Sequence, residues 1–142
     1  MKRLISFAVC VCMILILCGC SKSKVTREVL DLTAMSSTMV YSEVYNMVSN
    51  PTEYLGKSVK VRGTFTSSVY DQTGKDYFYI LISDATACCQ QGLEFIWSGE
   101  HNYPDDYPEI GSTVETTGIF SSYDELGVTY YYLLIDNLTV LD

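Results

Sequence analysis

Apolar and polar positions change rhythm twice along this chain. An apolar run from Leu4 to Leu17 stands behind Lys2 and Arg3, and mixed polar sequence follows to Ser36. Val40, Val44, Met47 and Val48 then recur at helical spacing beside Tyr41 and Tyr45. This predicts a helix over about 38 to 49 that Asn50-Pro51 terminates. Beyond Pro51 the pattern becomes short alternations of β-branched and aromatic residues, broken by Gly, Pro and Asp, which predicts strands. The 12 tyrosines concentrate there, so the domain is expected to be β-rich rather than a bundle.

An internal repeat orders those strands. Residues 55–65 align without gaps on 110–120, Gly63 falling on Gly118 and Phe65 on Phe120. The match extends from Ser67-Ser68 to Ser121-Ser122, from Tyr70-Asp71 to Tyr123-Asp124, from Gly74 to Gly127, and from Tyr77–Ile82 to Tyr130–Ile135. Each copy reads as strand, acidic glycine-containing loop, strand. Gly63 and Gly118 lie inside strand patterns, where glycine marks a bulge or a sharp bend. With Leu93 to Trp97 as a further strand, the expectation is mainly β: a five-stranded OB-like Greek-key barrel with an N-terminal helix.

The first run alters the picture of where this domain works. A basic start, an apolar stretch too short to span a bilayer comfortably and small residues at its exit form a secretory signal. Leu17-Cys18-Gly19-Cys20 resembles the lipobox of bacterial lipoproteins. That resemblance implies cleavage before Cys20, acylation of its thiol, and anchoring to the cell membrane on its extracytoplasmic face. The expected organisation is then a signal peptide over 1–19, a lipidated flexible tether over 20–36 and the barrel domain over 37–142. Lys22, Lys24 and Arg27 of the tether can touch lipid headgroups. Without residues 1–19 the 9 basic residues lose Lys2 and Arg3, and 7 − 17 leaves a formal charge of −10. Such an excess of carboxylates argues against nucleic acid as a partner.

Cysteine usage narrows in the same way. Cys10, Cys12 and Cys18 leave with the signal and Cys20 is acylated, so Cys88 and Cys89 remain. They lie in Ala85 to Glu109, the segment that the repeat leaves unexplained, together with Glu94, Trp97, Glu100, the single histidine His101 and the acidic turn Tyr103 to Pro108. Two thiolates with Glu94 and His101 suit zinc or copper(I). A strained disulfide between adjacent cysteines, easily reduced, is the redox alternative. Two inert thiols are the plain one. Residues 51–63 resemble the entry into the first strand of small bacterial OB-like extracytoplasmic domains. Asp84 to Phe95 is similar to the Cys-Cys stretch of such lipoproteins and to the C-terminal domain of permease-associated membrane proteins in zinc-responsive gene clusters. The resemblance implies an OB-like fold, a link to metal and a membrane permease or envelope protein as partner.

A second constellation is aromatic. Tyr77 and Tyr79 share one face of their strand, and Tyr130 and Tyr132 share one face of theirs. Together they form a candidate face for a protein or a glycan. Asp71, Asp76, Asp84, Asp124 and Glu125 form an acidic rim without the spacing of a calcium loop. No pair of carboxylates and no Ser/His/Asp pattern fixes a catalytic role. The expectation is a non-enzymatic, membrane-anchored binding or accessory module, with thiol-redox chemistry at Cys88 and Cys89 as the enzymatic alternative.

Overall fold

Alternating Val, Ile, Phe and Tyr after Pro51 make strands because branched and aromatic side chains pack well on a pleated, half-buried surface. The computed structural model describes residues 28–141, so the expected signal, Cys20 and the first part of the tether lie outside the described residues. The elements run β1 (Val29–Asp31), α1 (Ser37–Ser49), β2 (Ser58–Tyr70), β3 (Lys75–Ser83), β4 (Gln90–Trp97), β5 (Thr113–Glu125), β6 (Val128–Ile135) and β7 (Thr139–Leu141). The protein is mainly β, with one seven-stranded sheet and one α-helix among the described residues.

The central ladders form a circuit. β2 pairs with β3, β3 with β4, β4 with β6, β6 with β5, and β5 returns to β2; all are antiparallel except β4 with β6. The sheet has seven strands where five were expected: five make this circuit, and two short edge strands add to it. β1 lies parallel to the start of β2, and β7 pairs antiparallel with the start of β5. The stretch read as tether is therefore ordered from Val29 onward, and Leu32 is buried. Leu30 and Leu32 supply the apolar contacts that hold it, a signal too short to stand out in polar sequence.

The repeat governs the register. Within the first half of β2, Val59 pairs with Gly118, Val61 with Thr116 and Gly63 with Val114. β2 then passes to β3 from Thr64 onward, and β5 passes to β6 from Gly118 onward. Each glycine thus sits where a long strand changes partner. A Cβ on Gly63 would overlap the Leu81 carbonyl oxygen and lie 2.7 Å from Ile80 Cγ2. On Gly118 it would lie 2.7 Å from the Leu134 carbonyl oxygen and 2.8 Å from Ile135 Cγ2. No side chain fits there, so the bend is written as glycine in both copies.

One detail of the alignment changes. Phe65 pairs with Ile80 and Ser68 with Tyr77, whereas Phe120 pairs with Leu133 and Tyr123 with Tyr130. Ser68 therefore corresponds to Tyr123 rather than to Ser122. Both first strands run ungapped to their ends, and the turns between Tyr70 and Lys75 and between Glu125 and Val128 absorb the difference in length. A two-stranded ladder tolerates no slip of one residue, since that would turn every inward side chain outward; a turn tolerates it easily.

The core follows from this register. Val59, Phe65, Ile80 and Ile82 from the first copy meet Val114, Phe120, Leu133 and Ile135 from the second, and β4 adds Leu93 and Phe95. α1 begins one residue earlier than expected and packs on β3 and β4. Val44 and Met47 are buried, with Val40 partly so, but Val48 and Tyr45 face solvent. The inward stripe is narrower than the run of apolar residues suggested. At the other end of the β3–β4 pair, the 98–112 segment returns an aromatic plug: Tyr107 stacks on Phe78 at 4.2 Å and lies 6.1 Å from Phe65. The acidic turn thus carries, between its carboxylates, a half-buried ring that packs against the core.

Candidate functional site

Two surface regions gather side chains with chemistry. The first is the β3–β4 turn. Strand pairing ends at Ser83 with Gln90, and the Asp84 amide still bonds the Cys89 carbonyl at 2.9 Å. Inside that closure Asp84 folds the turn around its carboxylate: Oδ1 accepts from the amides of Thr86 at 3.1 Å and Cys88 at 3.0 Å. Ala87 takes a positive φ of 55°, which tips the chain so that both following side chains emerge on one side. Cys88 Sγ lies 3.2 Å from Asp84 Oδ2 and 3.6 Å from Cys89 Sγ, and both cysteines are exposed and free.

Asp84, Cys88 and Cys89 thus present one donor atom each, all within 4.8 Å of one another. The Cys88 thiol and the Thr86 hydroxyl hold the Asp84 carboxyl below the usual carboxylate range, the thiol hydrogen bond contributing most. Cys89 is pushed above the ordinary thiol value, chiefly by its hydrogen bond to Cys88 and then by the charge of that neighbour. The turn explains how adjacent residues come to face together, since in a regular strand they would oppose each other. Gln90 to Gly92 belong to β4 and not to the turn.

Glu94 and His101 do not join the cysteines, contrary to the expected ligand set. His101 stacks on Trp97 at 4.0 Å, and its Nε2 lies 3.0 Å from the Ser98 carbonyl oxygen. Glu94 lies in mid-strand on the outer face of β4, where an odd number of residues from Phe95 turns it away from the core. Its neighbours in register are Tyr79 on β3 and Tyr132 on β6. Asp84 is the donor that the residue pattern did not single out as a partner of the cysteines; the Asp-x-Thr turn signature was its available signal.

Glu94 belongs to the second region, the outer face of β3, β4 and β6. Tyr123 reaches over from β5 and donates its hydroxyl to Glu94 Oε1 at 2.9 Å. The Tyr123 ring stacks on Tyr130 at 5.5 Å and meets Tyr132 edge to face at 5.6 Å. On the opposite side Tyr77 donates its hydroxyl to Glu125, whose other oxygen holds Lys75 Nζ at 2.6 Å. The two hairpin ends are thereby tied together across the face. Ser68, Val69, Tyr70, Tyr77, Tyr79, Glu94, Tyr123, Glu125 and Tyr130 line a cleft of about 200 Å³. A second cleft of about 390 Å³, reaching Phe95, Trp97 and Tyr107, shares Tyr77, Glu94, Tyr123 and Glu125 with it as a common wall.

The four expected tyrosines thus lie on one outer face, but they surround a carboxylate instead of forming a flat platform. Burial pushes the Glu94 carboxyl above its ordinary value, against the lowering effect of the Tyr123 hydroxyl. Burial, the bond to Glu94 and its charge push the Tyr123 phenol far up. Glu125 is held low by Lys75 and Tyr77. Tyr123 was not expected on this face, because the alignment matched it to Tyr70 and set Ser122 against Ser68; Glu125, expected only in an acidic rim, instead binds Lys75 and Tyr77.

No family model matches this chain, and no curated protein matches it. Among solved structures, the N-terminal domain of PriB protein from Thermoanaerobacter tencongensis, described as dimeric, is similar over 60% of this chain and 96% of that one. The identity is 14% and the TM-score 0.36, and at that score the likeness carries no argument. No helix among the described residues is long and apolar enough to cross a membrane.

Proposed function

We propose that this chain is a lipid-anchored extracytoplasmic accessory module, an OB-type barrel that holds a zinc or copper(I) ion at the tip of its β3–β4 hairpin. The circuit β2-β3-β4-β6-β5-β2, two hairpins joined by a crossing strand, supports the barrel. The Leu17–Cys20 motif supports the anchor. One observation carries the metal reading: Asp84, Cys88 and Cys89 converge within 4.8 Å at an exposed position.

The sulfur separation suits such an ion. Two sulfurs each about 2.3 Å from a tetrahedral zinc stand about 3.8 Å apart, and here they stand 3.6 Å apart. A dication also offsets the crowding of two thiolates and a carboxylate in one turn. Three protein donors leave a fourth position open, and the site projects from the fold rather than bracing it. An open, projecting site suits passing the ion to or from an envelope protein, such as a membrane permease, better than stapling a domain. Nucleic acid is no part of this reading, because both surface regions carry carboxylates.

A competition titration against a chromogenic chelator tests it, using the chain from residue 20 with Cys20→Ser, alongside the same chain with Cys88→Ser and Cys89→Ser. One ion per chain is expected to bind in the first and none in the second. Equal weak binding by both overturns the reading. Reversible loss of both thiols on oxidation without metal uptake replaces it with the redox alternative.

A further inference from the structure

Two of the tyrosine hydroxyls at this cleft have committed their protons to carboxylates. Tyr123 donates to Glu94 and Tyr77 to Glu125. The cleft is then lined by five tyrosines, Ser68, Val69 and two carboxylates, of which Glu125 is already paired with Lys75. Glu94 lacks what its counterparts have. Glu115 meets Lys60 at 3.1 Å and Arg62 at 2.7 Å, and Glu125 meets Lys75 at 2.6 Å, whereas Glu94 meets no cation among the described residues. Lys75 does not line the smaller cleft.

From this arrangement we infer that the cleft between the two hairpin ends binds a small organic cation through a methylated, quaternary ammonium head, with Glu94 as counter-ion and the rings of Tyr70, Tyr77, Tyr79, Tyr123 and Tyr130 as walls. Aromatic rings attract a cation through their negative faces, and a box of them recognises quaternary ammonium groups. Such a head has no N–H to satisfy and a loosely held water shell. A primary ammonium brings three donors and needs acceptors, whereas the Glu94 and Glu125 carboxylates here already accept from Tyr123, Tyr77 and Lys75. The volume agrees. About 200 Å³ falls below the ~300–1,000 Å³ of ordinary small-molecule pockets, so the cleft takes a head group and not a sugar chain. The formal charge of −8 draws cations toward the surface and repels anionic carriers of the same head.

None of Asp84, Cys88 and Cys89 lines this cleft, so the inference goes beyond the metal reading and stands apart from it. Choline is the probe, followed by shifts of the tyrosine ring resonances in the chain carrying Cys20→Ser. Its neutral carbon isostere, with a tert-butyl group in place of the trimethylammonium, and ethanolamine are the comparisons. Choline is expected to bind at least about tenfold more tightly than the isostere, as cation–π attraction plus one carboxylate requires. Glu94→Gln, which keeps an oxygen for Tyr123, is expected to weaken choline by about tenfold and leave the isostere unchanged. The variant with both Cys88 and Cys89 replaced by Ser is expected to bind choline as the parent does. Equal affinity for choline and isostere, tighter binding of ethanolamine, or no shift at any tyrosine ring each overturns the inference. Because these comparisons vary the ligand as well as the protein, a misfolded variant does not decide the outcome.

Discussion

Val61 pairs with Thr116, its own counterpart in the internal repeat. The two residues are 116 − 61 = 55 positions apart, the same offset that carries Val59 onto Val114 and Gly63 onto Gly118. A strand that pairs with its own repeat at an equivalent residue defines a local two-fold axis. The hydrogen bonds obey it. The Gly56 amide bonds the Phe120 carbonyl at 2.8 Å, and the Gly111 amide bonds the Phe65 carbonyl at 2.9 Å. The Phe120 amide meets the Lys57 carbonyl at 3.0 Å, and the Phe65 amide meets the Ser112 carbonyl at 2.9 Å. Two copies of one hairpin, paired head to head, make four of the five strands in the circuit, and β4 completes it.

The two glycines at the changes of partner are expected to be equally intolerant. Gly63→Val and Gly118→Val should each lower stability by about 1–3 kcal/mol, because backbone carbonyls occupy the space of a Cβ. Urea unfolding of each variant checks this. A substitution without effect at either site would mean that the strand does not bend there as described.

Glu94 should leave a mark on the pH dependence of stability. Its folded-state value is raised above the ordinary 4.5, so the folded state holds this proton longer than the unfolded state. Stability from this group is present below pH 4.5 and is lost as pH rises through the raised value. Glu94→Gln removes that loss, so the variant is expected to gain on the parent as pH increases from 4.5. Denaturant midpoints across pH, compared as a difference between the two proteins, isolate the effect. Tyr123→Phe works the other way on the carboxyl itself. Losing the hydroxyl that favours the ionised form should raise the Glu94 value further, as a carbon-detected titration of the carboxyl would register.

Metal affinity at the hairpin tip should fall with acidity. Both thiols must lose protons to ligate, and Cys89 holds its proton more tightly than an ordinary thiol in the metal-free protein. Chelator competition at successive pH values is expected to give steadily weaker binding from neutral pH downward. Asp84→Asn should weaken binding by about tenfold, while the domain remains folded because the turn amides still find an acceptor in the amide oxygen. A flat pH profile would remove the thiolates from the site.

The anchor is checked at the N-terminus. Mass spectrometry of the chain purified from membranes is expected to find an acylated Cys20 as its first residue. Cys20→Ser should leave the precursor uncleaved or release the domain from membranes, since stable anchoring needs acyl chains. An unmodified Cys20, or a first residue elsewhere, would displace that assignment.

What the sequence determined was whatever depends on local pattern or on repetition. The helix at Ser37–Ser49 ends at Asn50-Pro51 because proline removes a donor and clashes with the preceding turn, and both facts are local. The paired glycines were legible because a bend needed twice was written twice. Placing Tyr77 with Tyr79, and Tyr130 with Tyr132, needed only the two-residue period of a strand; that the two pairs share a face needed β4 between them. The rest required the third dimension. Leu30 and Leu32 look like tether until β2 offers an edge to pair with and a core to fill. Glu94 reads as a metal ligand by residue type, yet strand pairing sets it between Tyr79 and Tyr132 and beneath Tyr123, which is 29 residues away in sequence. His101 lies in the same segment as the cysteines, but its stack on Trp97 fixes it elsewhere. Nearness along the chain says little about which donors converge, because each turn of the sheet sends consecutive segments to opposite ends. Only the packed circuit of strands decides which side chains share a volume.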